Sequence, residues 1–90
     1  MGIVLIKIKI MPSSPDVDLE NIKNSAKEII ASNNGMRSTF EEEPIAFGLK
    51  AIIASFDLKE ESPLDPIEET LRTIENVSSA EVIDMRRAFG

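Results

Sequence analysis

The sequence predicts an α+β fold, a four-stranded antiparallel sheet with two helices on one face, in the order β-α-β-β-α-β. Three observations carry this expectation. Residues 3–11 and 49–58 are apolar runs that alternate with period two, dense enough for the centre of a sheet. Residues 18–32 repeat apolar side chains at helical spacing, and a shorter stretch of the same kind starts at Asp65. Pro12, Pro15, Gly35, Pro44, Gly48 and Pro63 fall between these segments, where turns need them.

In the first strand, Val4, Ile6, Ile8 and Ile10 share one face. Lys7 and Lys9 share the other with Ile3 and Leu5, so that face is partly wet and the lysine stems lie along it. Pro12 and Pro15 stop the strand. Asp18 is the expected N-cap of the first helix, with Leu19, Ile22, Ala26, Ile29 and Ile30 as its apolar stripe. Asn33, Asn34 and Gly35 end it, because both residue types tolerate the left-handed conformation. Met36 to Glu43 forms a weaker strand whose run of glutamates suits a sheet edge. A loop spans Pro44 to Gly48. Leu49 to Leu58 is apolar on both faces and belongs in the middle. Asp65, followed by Pro66 and by Glu68 three residues on, resembles a capping box that opens the second helix. Ile67, Leu71 and Ile74 face inward, and Val77 to Phe89 is the last strand. Two right-handed crossovers joined by a hairpin give the ferredoxin-like arrangement with strand order 4-1-3-2.

Ninety residues are expected to make one domain. The chain has neither cysteine nor histidine. That excludes disulfides and thiolate metal sites, and it removes the commonest nucleophile, general base and transition-metal ligand. No cofactor or metal is expected. The net charge of −6 argues against a nucleic acid partner. The opening apolar run breaks at Lys7, too early for a signal peptide or a membrane span, and Ile6 stands where myristoylation would want Ser or Thr. A cytoplasmic protein is expected, with a monomer favoured.

Ferredoxin-like domains host many functions, so residues must decide. An RNA-binding version would place aromatics on the open face of strands one and three; strand one has none and strand three has only Phe56. Glu41, Glu42 and Glu43 do not converge on a cation, because neighbours on a strand point to opposite faces. Arg86 and Arg87 are a local cationic point in an acidic chain; the plainer reading is a pair of solvated arginines at a strand end. Lys50 is most simply surface charge. Phe47 sits between Pro44 and Gly48, where a turn needs no aromatic. It either folds back onto the core or is offered to a partner.

Three stretches carry a resemblance that covers nearly the whole chain. They are Met11-Pro12 with Pro15 to Leu19, Glu42 to Ala51, and Val77 to Val82 with Met85-Arg86-Arg87. The middle one is the most specific. The chain resembles the guanine nucleotide exchange domains of the elongation factor 1-beta/delta family, that is, the archaeal elongation factor 1-beta proteins and the C-terminal domain of the eukaryotic beta and delta subunits. The resemblance implies a ferredoxin-like fold and nucleotide exchange on a translational GTPase of the elongation factor 1-alpha type, which carries aminoacyl-tRNA. It implies partner contacts through Pro44, Ile45, Phe47 and Lys50 at one end and through Met85, Arg86 and Arg87 at the other. Phe47 matches the family's aromatic. Arg87 stands where the family has a lysine that reaches the Mg²⁺ and phosphate region; it keeps the charge on a planar fork in place of a compact ammonium.

In the expected sheet, Phe47 and Arg87 lie about 20 to 30 Å apart at ~3.3 Å per residue, too far for one small ligand. The rival expectation is a small-molecule-sensing regulatory module that dimerises through its sheet.

Overall fold

The computed structural model describes residues 2–89. Strands β1 (Ile3–Pro12), β2 (Met36–Pro44), β3 (Lys50–Lys59) and β4 (Val77–Phe89) combine with helices α1 (Leu19–Ser32) and α2 (Asp65–Leu71), and a 3-10 turn occupies Ala46–Gly48. Every strand pair is antiparallel, and the order β2-β3-β1-β4 is the expected one. The fold is ferredoxin-like.

The two apolar strands are the central pair, as their composition requires. Across β1 and β3, Ile6 faces Phe56, Ile8 faces Ala54 and Ile10 faces Ile52, all buried. Ile22, Ala26 and Ile30 of α1 and Ile67 and Leu71 of α2 close over that side. Each large aliphatic buried there contributes roughly 1.5–3 kcal/mol relative to exposure.

Helix α1 starts as its sequence specifies. Asp18 has extended backbone, and its Oδ1 accepts from the Glu20 N–H at 3.0 Å. The far end divides its work between two residues. Asn34 takes the left-handed conformation (φ 75°), and the Asn33 side chain donates to the Ile29 carbonyl at 2.8 Å. Gly35 is required for closeness and not for its φ: a Cβ there would stand 2.2 Å from Ile30 Cγ2 and 2.9 Å from the Ile30 carbonyl oxygen. Gly35→Ala is therefore expected to lower stability by about 1–3 kcal/mol, read as a lower urea midpoint at unchanged slope. A wild-type midpoint would mean that the Ile30 side chain and the backbone at the end of α1 both give way without cost.

The expected capping box of α2 does not form. Leu64 holds the N-cap position without a side-chain bond, and Asp65 and Pro66 fall inside the first turn. Glu68 is drawn elsewhere. Its Oε2 accepts from the Val82 backbone N–H at 3.0 Å and lies 3.5 Å from Arg72 Nη2, while Arg72 Nε donates to the Ala80 carbonyl at 3.0 Å. The reason is tertiary. β4 is an edge strand whose main-chain groups need partners, and Glu68 of α2 and Arg72 just past its end supply two of them.

β4 is irregular for its length. Its register against β1 shifts three times, skipping Ser78, Ile83 and Ala88. Each skip is a bulge that resets which way the following side chains point.

Candidate functional site

The β2–β3 hairpin ends in a narrow closed turn. Pro44 and Lys50 form its last rung. The Ile45 N–H donates to the Leu49 carbonyl at 2.7 Å, and the Leu49 N–H donates to the Ala46 carbonyl at 3.3 Å. Between them Phe47 and Gly48 both have positive φ, 64° and 76°. Glycine adopts this freely, but for a bulky residue it costs about 1–3 kcal/mol. The chain accepts that cost and leaves Phe47 93% exposed. Of the two expectations for Phe47, folding back onto the core is overturned. Ile45 is half-buried beneath the turn, and Pro44 and Lys50 are exposed beside it. The β1–α1 loop backs this end: Pro12, Pro15 and Leu19 line a small notch with Gly48 and Lys50.

One charged tie secures the strand that leads into the turn. Lys23 Nζ of α1 lies 2.7 Å from Glu42 Oε2 and 3.1 Å from Glu20 Oε2. The hydrogen bond from Lys23 holds the Glu42 carboxyl below the usual carboxylate range, and the bonds to Glu42 and then Glu20 push the Lys23 ammonium upward. Lys23 and Glu42 are both charged at neutral pH. Glu41 and Glu43 point to the opposite face, where Lys9 lies 3.8 Å from Glu43.

At the other end of the sheet the three expected contact residues separate. Met85 stands opposite Ile6 and Arg87 opposite Val4, so both lie on the helix-bearing side. Arg86 stands opposite Leu5 on the open face, with its Nε 3.1 Å from Asp84 Oδ2. The adjacent arginines thus do not act as a pair. Met85 is 56% exposed over a hollow of about 130 Å³ that Val4, Ile6, Leu58 and Leu64 also line. Arg87 is mostly exposed and engages Glu60, a residue the sequence reading passed over: its Nε lies 2.5 Å from Oε2, and its Nη2 donates to Oε1 at 3.0 Å. The signal was available only through topology. Once β1 is placed between β3 and β4, the residue just past β3 falls beside the end of β4.

Arg87 lies level with Val4, and Val4 with Leu58. From Leu58 along β3 to Lys50, at ~3.3 Å per residue, is roughly 26 Å. The aromatic tip and the Arg87 guanidinium therefore occupy opposite ends of one sheet.

The open face is mixed, with Leu5 41% exposed and Ile53 half-buried beside charged and polar groups. Arg37, held in a left-handed conformation (φ 52°), ion-pairs with the buried Asp57 carboxylate, and Leu5, Lys7, Ser55 and Thr39 lie around them. Phe56 is not on it; its ring is 2% exposed in the core beneath the helices. The central strands β1 and β3 present no aromatic platform for bases.

An exposed aromatic at one end and an exposed cation at the other suit a large folded partner. Residues 5–88 match the family model of the EF-1 guanine nucleotide exchange domain, a span that holds both ends of the sheet. The chain belongs to this family. Elongation factor 1-beta of Methanococcus maripaludis is 41% identical over 86 residues, 94% of this chain and 97% of that protein. The protein of the same name from Methanosarcina barkeri is 41% identical over 88 residues, 97% and 99% of the two chains. That from Methanocaldococcus jannaschii is 41% identical over 90 residues, 98% and 100%. The role of this EF-1 exchange-domain protein is that of a translation elongation exchange factor. The reading as a small-molecule-sensing module gives way to it. Among the described residues, no helix of this family member is long and apolar enough to cross a membrane.

Proposed function

We propose that this chain acts in the cytoplasm as a single-domain, monomeric factor that speeds the exchange of GDP for GTP on a GTPase of the elongation factor 1-alpha type. It does so by stabilising the nucleotide-free form, and no covalent chemistry of its own is involved. The observation that carries this reading is an aromatic at 93% exposure and an exposed guanidinium at opposite ends of one sheet, whose strand β3 spans roughly 26 Å between Lys50 and Leu58. A partner that fills both contacts is a protein, and at that span it is engaged through two separate surfaces.

The mechanism is linkage. A factor that prefers the empty GTPase weakens nucleotide binding by the same factor by which nucleotide weakens its own binding. Arg87 brings positive charge to the Mg²⁺ and phosphate region and competes there for the phosphate oxygens. Met85 packs beside it. Pro44, Ile45, Phe47 and Lys50 hold the distant surface, with Phe47 as the anchor. Arg86, on the opposite face of β4, contributes charge near the rim. The net charge of −6 disfavours direct contact with nucleic acid or with an anionic membrane surface.

The decisive assay follows labelled GDP leaving the cognate translation GTPase in excess unlabelled nucleotide. Substoichiometric amounts of this protein are expected to accelerate release, because each molecule is freed when new nucleotide binds. Release at the intrinsic rate, even at equimolar protein, would overturn the proposal.

A further inference from the structure

We infer that Glu60 is a positioning residue for Arg87, gripping the guanidinium from its side so that the outer edge stays open for an oxyanion. The inference rests on the exchange reading above and adds to it a residue outside the set that the resemblance implied.

The geometry is specific about which edge is used. Glu60 engages Nε and Nη2, the lateral edge of the fork. A guanidinium has five N–H groups in a fixed plane. The lateral grip leaves both N–H groups of Nη1 and the outer one of Nη2 free, and one from each nitrogen forms the end-on edge that meets phosphate oxygens two at a time. Among the described residues Arg87 makes no other ion pair. Glu60 is itself well placed to hold still. Its backbone N–H donates to the Gly2 carbonyl at 3.0 Å, which ties the start of the β3–α2 loop to the base of β1.

Without Glu60, Arg87, already 61% exposed with that partner present, would be a long unpaired side chain near the end of an edge strand. It would lose its rotamer freedom only on docking, which costs affinity for the docked state. The two-point pair settles much of that beforehand. Exposed pairs of this kind add little to fold stability, so the benefit belongs to the contact and not to the scaffold.

The test is a set of variants in the GDP-release assay, each with its melting temperature measured. Glu60→Ala is expected to slow stimulated release about three- to tenfold at saturating factor, with melting unchanged and Glu60→Gln in between. In the Arg87→Ala background, Glu60→Ala is expected to add nothing. A merely structural role would instead lower melting and act equally in both backgrounds. Glu60→Ala at wild-type speed, or faster because the carboxylate competes with phosphate, overturns the positioning role alone, provided Arg87→Ala is slow. If Arg87→Ala itself releases GDP at the wild-type rate, the exchange role of Arg87 falls and the role of Glu60 falls with it.

Discussion

Arg87→Ala is expected to slow stimulated GDP release about 10- to 100-fold while leaving the fold intact. The magnitude follows from what the side chain would contribute on the GTPase. A hydrogen bond to a charged group is worth about 1.5–3 kcal/mol, and each 1.4 kcal/mol is tenfold. The intact fold follows from exposure. The side chain is 61% accessible and its one ion pair among the described residues is with Glu60, itself exposed, a pair of the class that contributes roughly 0–1 kcal/mol. Neighbouring Val4 and Met85 keep their packing, since the strand backbone is unaltered. Arg87→Lys separates charge from shape. Lysine keeps the charge but loses the fork, so it cannot be held by Glu60 at two points and still present a second edge. It is expected to recover part of the loss, and a further Glu60→Ala change is expected to matter less there than in the wild type. The measurement is single-turnover release at saturating factor, with urea unfolding as the control. A wild-type release rate for Arg87→Ala would remove this residue from the mechanism, and a collapsed unfolding midpoint would show that its pair with Glu60 supports the fold.

The parts of this molecule that were legible in the sequence are those set by local periodicity. The alternation in residues 3–11 and 49–58 placed Ile6, Ile8, Ile10, Ile52, Ala54 and Phe56 in the core and made their strands the central pair. The glutamates of β2 marked an edge. Asp18 capped α1 because an N-cap needs only its own next turn. Where a side chain had a distant alternative, local rules failed. Glu68 fits a capping box on spacing alone, yet the unpaired Val82 N–H on β4 captures it. Gly35 ends a helix as expected, but for space against Ile30 and not for its φ. The site divides in the same way. Phe47 stood out because turns do not need aromatics, and the positive φ at both Phe47 and Gly48 explains how the ring is kept outside. At the other end, adjacency in the sequence misled. Arg86 and Arg87 read as a cluster, but on a strand they occupy opposite faces, and the true neighbour of Arg87 is Glu60, twenty-seven positions away. Period two predicts the first fact; only the strand order predicts the second.

Phe47→Ala is expected to raise the half-saturating concentration in the exchange assay about 30-fold, with maximal release nearly unchanged. An aromatic at the centre of an interface is the commonest kind of hot spot, and losing one costs about 2 kcal/mol or more. The loss falls on binding because the ring and Arg87 stand at opposite ends of the sheet, so the ring does not touch the end proposed to meet phosphate. Stability should stay within about 0.5 kcal/mol of wild type, since a ring at 93% exposure has little packing to lose. A second substitution makes the argument sharper. Phe47 sits at φ 64°, a conformation that glycine adopts without strain. Phe47→Gly should therefore unfold at equal or higher urea than Phe47→Ala, the relief being partly offset by the added freedom of the unfolded chain. It should bind the GTPase no better. Stability and affinity would then move apart at one position, as expected where a strained turn serves to present its side chain. A Phe47→Ala protein that melts early yet binds normally would put the ring against the core in solution. One that is stable and also binds normally would leave the tip without a partner.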